Sequence, residues 1–230
     1  MTDTIPTYLN RDSPLVLTQD FDRQDFDGVD RRSTIITGGN AALESPLILV
    51  GRSEGKRLLP VLIAAMEAMP PRSILPVDCG LVRIMDVSFG DESLVRLARR
   101  RAAREFPERF FVLENVGEEL EANLKTLLEI REIFVPVWLS GSAQASVVSQ
   151  TESPILLGDV GPEMRETYQV ARRLGKLTAR ELIEQLPAAR LSIAAASNRL
   201  TRLAEAGALA ALDSESVEGG GRQKVFAPVW

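Results

Sequence analysis

The chain has 230 residues, 45% hydrophobic and 26% charged, and 32 acidic against 27 basic side chains give a formal charge of −5. This is the composition of a soluble globular protein with one large domain or two modest ones, and no apolar run approaches the roughly 18 residues of a membrane span. Histidine is absent and Cys79 is the single cysteine, which excludes Ser-His-Asp and Cys-His nucleophile systems, the commonest zinc sites and an internal disulfide framework.

Other exclusions follow from motifs. No phosphate-cradling glycine loop opens a helix after a strand, so no cofactor, no metal and no enzymatic activity are expected. Only an acidic pair in a pocket would reopen catalysis. The N-terminus "MTDTIPTYLNRDSP" lacks a basic region followed by an apolar block, so no signal peptide is expected. The lone cysteine fits a reducing cytoplasm.

Residues 1–44 are polar and Asp-rich and read as a partly ordered N-terminal extension, within which "PLVL" and "TIIT" could be edge strands. From Pro46 the pattern changes. "PLILVGR" is β-prone, and "SEGKRLLPVLIAAMEAM" is helical, with Ser53 the expected N-cap and Pro60 implying a kink or a late start. "SILPV" and "LVRIMDV" read as the next strand region. "DESLVRLARRRAAREF" is a second helix with Leu94, Val95, Leu97 and Ala98 on its apolar side. "RFFVLENV", "GEELEANLKTLLEI" and "IFVPVWL" are a strand, a helix and a last strand. Strands alternating with helices predict an α/β layer over residues 45–140, with helices packed on a sheet.

The Ser-, Gln- and Thr-rich stretch after Ser140 opens a connector, 141–161. Residues 162–230 carry ten Lys/Arg and eight Asp/Glu, about +2, while the rest of the chain carries 17 and 24, about −7. This asymmetry favours a nucleic-acid-facing C-terminal module. "PEMRETYQVARRLG" has a helical face of Met164, Tyr168, Ala171 and Leu174, with Gly175 as its stop. Thr178 and Glu181 make a capping box for "LTARELIEQLP", with Leu182, Ile183 and Leu186 inward. Ser192 caps the next helix, whose spacing turns Ile193, Ala196, Leu200 and Leu203 inward. "ALAALDSESV" and "RQKVFAPV" are two strands joined through "EGGG".

The run "TARELIEQL…LSIAAASNRLTRLAEAGALAAL…GGGRQKVF" resembles the winged helix-turn-helix domains of MarR- and ArsR-type regulators, over about 65 residues. The resemblance implies an α+β winged-helix domain at 162–230 that binds double-stranded DNA as a homodimer. On the outward face, Ala194 and Ala195 allow close approach to a groove, Asn198 suits adenine, and Arg199 or Arg202 suits guanine or phosphate. Thr178, Ser192 and Ser197 could hold phosphate oxygens at helix starts. Arg222 and Lys224 flank the wing turn. The alternative is a solvated face on a protein-docking module, favoured by Glu205, Asp213, Glu215 and Glu218.

The segment Leu47–Leu139, with "LVGRSEGKRLL", "MDVSFGDESL" and "FFVLENVGEELEANLKTLL", resembles the STAS-like domains related to anti-sigma-factor antagonists. The family's phosphorylatable residue directly follows an aspartate, and here that position is Val87. Ser88, one residue later, is the remaining candidate phosphosite, with the alternative that it caps a helix starting near Gly90. The run "RLARRRAAREFPERF" reads as a solvated face with some arginines paired to Glu105 or Glu108, or as a docking surface. Phe89, Phe106, Phe110 and Phe111 read as core. Together these imply a DNA-binding transcriptional regulator whose STAS-like domain senses or docks. The alternative is a protein–protein signalling switch docking on a kinase-type ATPase of the anti-sigma class.

Overall fold

The computed structural model describes residues 47–139, 154–217 and 221–229, together with short strands at 10–11, 15–16 and 36–37. It is a mixed α/β structure with helices packed on a mixed sheet. In chain order the strands of the seven-stranded sheet are β1 (Asn10–Arg11), β2 (Leu15–Val16), β3 (Ile36–Thr37), β5 (Ser73–Asp78), β7 (Arg109–Val116), β8 (Phe134–Leu139) and β9 (Ile155–Gly158). Their spatial order is β3-β2-β5-β7-β8-β9, and β1 joins β5 beside β2. The pairs β5–β7, β7–β8, β1–β5 and β2–β5 are parallel; β3 and β9 run antiparallel to their neighbours. A second, two-stranded parallel sheet pairs β4 (Leu47–Leu49) with β6 (Val82–Met85).

One face of the large sheet carries α1 (Arg52–Ala68), α4 (Glu118–Ile130) and a helix that runs from α2 (Val87–Gly90) through a π turn at Asp91–Val95 into α3 (Arg96–Ala102). Leucines 120, 124, 127 and 128 of α4 recur at helical spacing and are all buried. Leu120, Leu124 and Leu128 meet Leu75 and Val77 of β5, Phe111 and Leu113 of β7, and Val135 and Val137 of β8 in one hydrophobic cluster. Gly55 lets α1 and α2 touch: a Cβ there would sit 2.4 Å from the Phe89 carbonyl oxygen.

The opposite face of the same strands is also buried. Phe134 and Leu156 join a cluster with α5 (Pro162–Leu174), α6 (Ala179–Gln185) and α7 (Ile193–Glu205), while Ile74, Phe110 and Val112 pack with Val229. The hairpin β10 (Leu209–Val217) and β11 (Gly221–Pro228) completes this side, and Leu177 bridges to Phe226 as a third short rung. The four phenylalanines read as core are all buried, with Phe110 and Phe111 facing opposite ways.

Several local expectations change. Ser53 lies inside α1; the N-cap position is Gly51, at φ 90°, whose N–H donates to Asp86 Oδ2 at 2.8 Å. Pro60 does not interrupt α1, and it sits on the exposed face, where the carbonyl that loses its helical donor can meet water. Residues 155–158, given to the connector by composition, form β9 of the sheet, and 141–153 lie outside the described residues. Of the N-terminal extension, the apolar runs supply β2 and β3. Leu174 is 39% exposed, and the buried face of α5 is Met164, Thr167, Tyr168, Val170 and Ala171.

Replacing Gly55 by alanine must push α1 off α2. We expect a loss of about 1–3 kcal/mol, measured as a lower urea midpoint at unchanged slope, with Ser53→Ala close to neutral.

Candidate nucleic-acid interface

Helices α6 and α7 are joined by a 3-10 turn at Pro187–Ala189 and by Arg190, which is left-handed at φ 47°. Thr178 and Glu181 form the capping box on α6. The Thr178 hydroxyl is therefore engaged within the protein, contacting both the Glu181 N–H and its carboxylate. Ser192 caps α7, its Oγ accepting from Ala195 N at 3.2 Å. Ala196, Leu200 and Leu203 anchor α7 in the core with no measurable exposure.

The remaining positions separate into two groups. Ala194, Asn198 and Arg202, four residues apart, form an exposed stripe, with Ala195 and Ser197 half-buried beside it. Arg199 does not join them: it is half-buried, and its Nη1 is buried with no hydrogen-bond partner among the described residues. Lys224 is exposed on β11 but lines a cavity with Thr201 and Glu205, toward α3. Arg222 stands on β11 opposite Ser216; its side chain lies outside the described residues, as do those of Asp213, Glu215 and Glu218.

Ile193 contradicts its inward assignment. It is 58% exposed, at the first position of α7, where Ser192 and Ala194 on either side are exposed as well. Leu191 packs against the core in its place. An exposed isoleucine beside Ala194 at a helix N-terminus is suited to a thymine methyl, and the exposed Arg190, three residues earlier, adds positive charge. The signal available in the sequence was the cap at Ser192, which fixes Ile193 as the first helical residue.

The C-terminal end of α7 is held differently. Arg101, from α3, donates through Nη1 to the carbonyls of Ala204 and of Glu205, the latter at 2.9 Å. These are carbonyls that a helix end leaves without intrahelical donors, and a cation is favoured there by the helix dipole. The guanidinium also lies 4.7 Å from the centre of the Phe110 ring. Burial pulls its pKa down to about 10, opposed by the Glu205 carboxylate, so it stays charged at neutral pH. Gly207, at φ 85°, turns the chain beside it, where a Cβ would come within 3.3 Å of Arg101 Nε.

The other arginines of that run divide as the sequence suggested in kind. Arg100 pairs with Glu105 at 2.6 Å, Arg96 with the buried Glu92 at 2.8 Å, and Glu108 takes Arg72 at 3.4 Å. Arg109 donates to the Met69 carbonyl.

At the far end of the α2–α3 helix, Ser88 is half-buried in the first turn and does not cap it. Asp86 does: Oδ1 accepts from Phe89 N at 2.6 Å, while Oδ2 takes the Gly51 N–H. Asp91 holds Arg131 in a two-point ion pair. The Cys79 thiol is fully buried, and burial, with Asp78 and Glu114 adding, pushes its pKa far above the usual thiol range, which makes it an inert packing group. Among the described residues no group of three or more metal-ligating side chains is assembled, and no helix is long and apolar enough to cross a membrane.

Comparison with known protein families, with curated proteins and with solved structures finds no match to this chain.

Replacing Arg101 by leucine strips two charge-assisted hydrogen bonds from the end of α7. The expected loss is about 1.5–3 kcal/mol, and amide exchange should rise first at Ala204–Leu209. A uniform rise across the chain would contradict this capping role.

Proposed function

We propose that the chain is a DNA-binding transcriptional regulator in which a STAS-like α/β layer controls a winged helix acting as a dimer. The observation that carries this reading is the asymmetry of α7. Its C-terminal end is pinned by Arg101, while its first turn leaves Ser192, Ile193 and Ala194 exposed, and Asn198 and Arg202 continue the same exposed stripe toward the last turn. In helix-turn-helix proteins it is the N-terminal part of the second helix that meets base edges. Short apolar residues permit close approach, Asn198 supplies an amide fork for adenine, and Arg202 a guanidinium for guanine or phosphate.

A second reading concerns the α/β layer. Ile48 and Ile84 are register partners on β4 and β6, and with Val50 and Val87 they form an exposed apolar group, 38–50% accessible. Such a surface beside Ser88 favours a protein partner, such as an ATPase of the anti-sigma kinase type. In the adaptor form of this reading, α7 reads no DNA and the C-terminal helices dock on protein too.

Fluorescence polarisation with DNA from upstream of the chain's own gene separates the two. The regulator should bind with an affinity that falls steeply as salt rises. Arg202→Ala should weaken binding by about 1–3 kcal/mol, a factor of roughly 5 to 150. Arg199→Ala should act mainly on stability. Absence of salt-dependent binding at low ionic strength sinks the DNA reading and leaves the adaptor.

A further inference from the structure

Between α3, the turn that leads into β7, the end of α7 and the hairpin lies a cavity of about 570 Å³. That is within the usual range for small-molecule sites, roughly 300–1,000 Å³. Its apolar lining comes from both cores: Phe106 and Phe110 from the sheet side, Leu209 and Phe226 from the hairpin side. Its charge is one-sided. Arg72, Arg101, Arg104, Lys176 and Lys224 line it against only Glu108 and Glu205.

Three of those cations, Lys176 among them, already have partners. Arg72 pairs with Glu108, and Arg101 is bound to the α7 carbonyls. The side chains of Arg104 and Lys224, both exposed, form no hydrogen bond or ion pair among the described residues. The rim is also conformationally unusual. Arg72, Arg104 and Glu108 all hold left-handed φ, at 61°, 64° and 54°. Arg104 does so as the left-handed residue that closes α3, its N–H donating to the Arg101 carbonyl and the Glu105 N–H to that of Arg100, which fixes the position of its side chain at the rim. Low-dielectric walls around a surplus of like charge focus an attractive field on anions.

We propose that this cavity is a binding site for an organic anion, an aromatic or aliphatic body with one acidic headgroup. Arg104 and Lys224 hold the headgroup, and Phe106, Phe110 and Phe226 receive the body. An occupant touches the α/β layer and the C-terminal hairpin at once, so it favours the arrangement in which the two are docked. The proposal stands on the cavity alone and does not require α7 to read DNA.

Two naphthalene probes test it with the full chain. 8-Anilinonaphthalene-1-sulfonate carries the acidic group; N-phenyl-1-naphthylamine is its neutral counterpart. The sulfonate should bind at one per chain. The double variant Arg104→Ala/Lys224→Ala should weaken the sulfonate at least tenfold and leave the neutral probe unchanged. Lys125→Ala, on the remote helix α4, should alter neither. Ala211→Trp, which fills the cavity from the exposed side of β10, should exclude both probes. The proposal is overturned if the double variant leaves sulfonate binding intact, if it weakens both probes equally, or if Ala211→Trp excludes neither. Should the double variant fail to fold by circular dichroism, the Ala211→Trp result decides alone.

Discussion

Strand β7 has no wet face, and much of the architecture follows from that. Phe111 and Leu113 point into the cluster beneath α1, α3 and α4, while Phe110 and Val112 point the other way. Such two-sided burial is the rule for parallel strands, which must be covered above and below. Helices from the first half of the chain supply one cover. The second comes from the C-terminal helices and hairpin, through Phe134, Leu156 and Val229. Each large apolar side chain buried this way contributes about 1.5–3 kcal/mol. Pulling the C-terminal elements away would expose several at once. The two halves therefore do not behave as beads on a flexible string, and any regulation of α7 has to act within or against this shared packing.

Electrostatics then fixes the polarity of α7. A guanidinium taken out of water demands acceptors, and the last carbonyls of a helix are acceptors without partners. Arg101 Nη1 meets the Ala204 and Glu205 carbonyls across a sequence distance of about a hundred residues. Once the negative end of the helix dipole is matched internally, its positive end is left facing solvent, with Ser192 as cap and Asn198 and Arg202 along the exposed side. That is the end of a helix at which phosphate or a base edge is received.

What was legible in the sequence was what is decided locally. The Thr178–Glu181 capping box, the Ser192 cap and the inward Ala196, Leu200 and Leu203 depend on residues within a turn or two, and all are present. The misplaced features share a different cause. Ser53 and Ser88 match short capping patterns, yet Asp86 supersedes both by reaching Gly51 and Phe89 with its two oxygens. Ile193 fits the inward spacing of α7, but whether a first-turn residue is covered depends on where α6 ends. The short run at Ile155 looked like connector because its hydrogen-bond partner, β8, precedes it by a stretch of polar sequence. The arginine-rich run pointed to paired side chains without showing which one turns inward. Selecting Arg101 required α7 to be in place.

One consequence joins the two ends of the structure. Val87 and Ala102 are the ends of one helical run, α2 through the π turn to α3. Sixteen residues of helix span about 24 Å at 1.5 Å per residue. The Ser88 end is tied to the start of α1 through Asp86 and Gly51, and the middle is held by Glu92 to Arg52 and by Asp91 to Arg131. Those contacts brace the run at its first turn and at its middle. The exposed Ile48–Ile84 pair and Ser88 lie toward one end of the run; Arg101 and the α7 carbonyls are at the other. Coupling between them requires a second arrangement in which Arg101 releases Ala204 and Glu205. The π turn at Asp91–Val95 lies between those two ends, and such turns inside helices recur at functional sites.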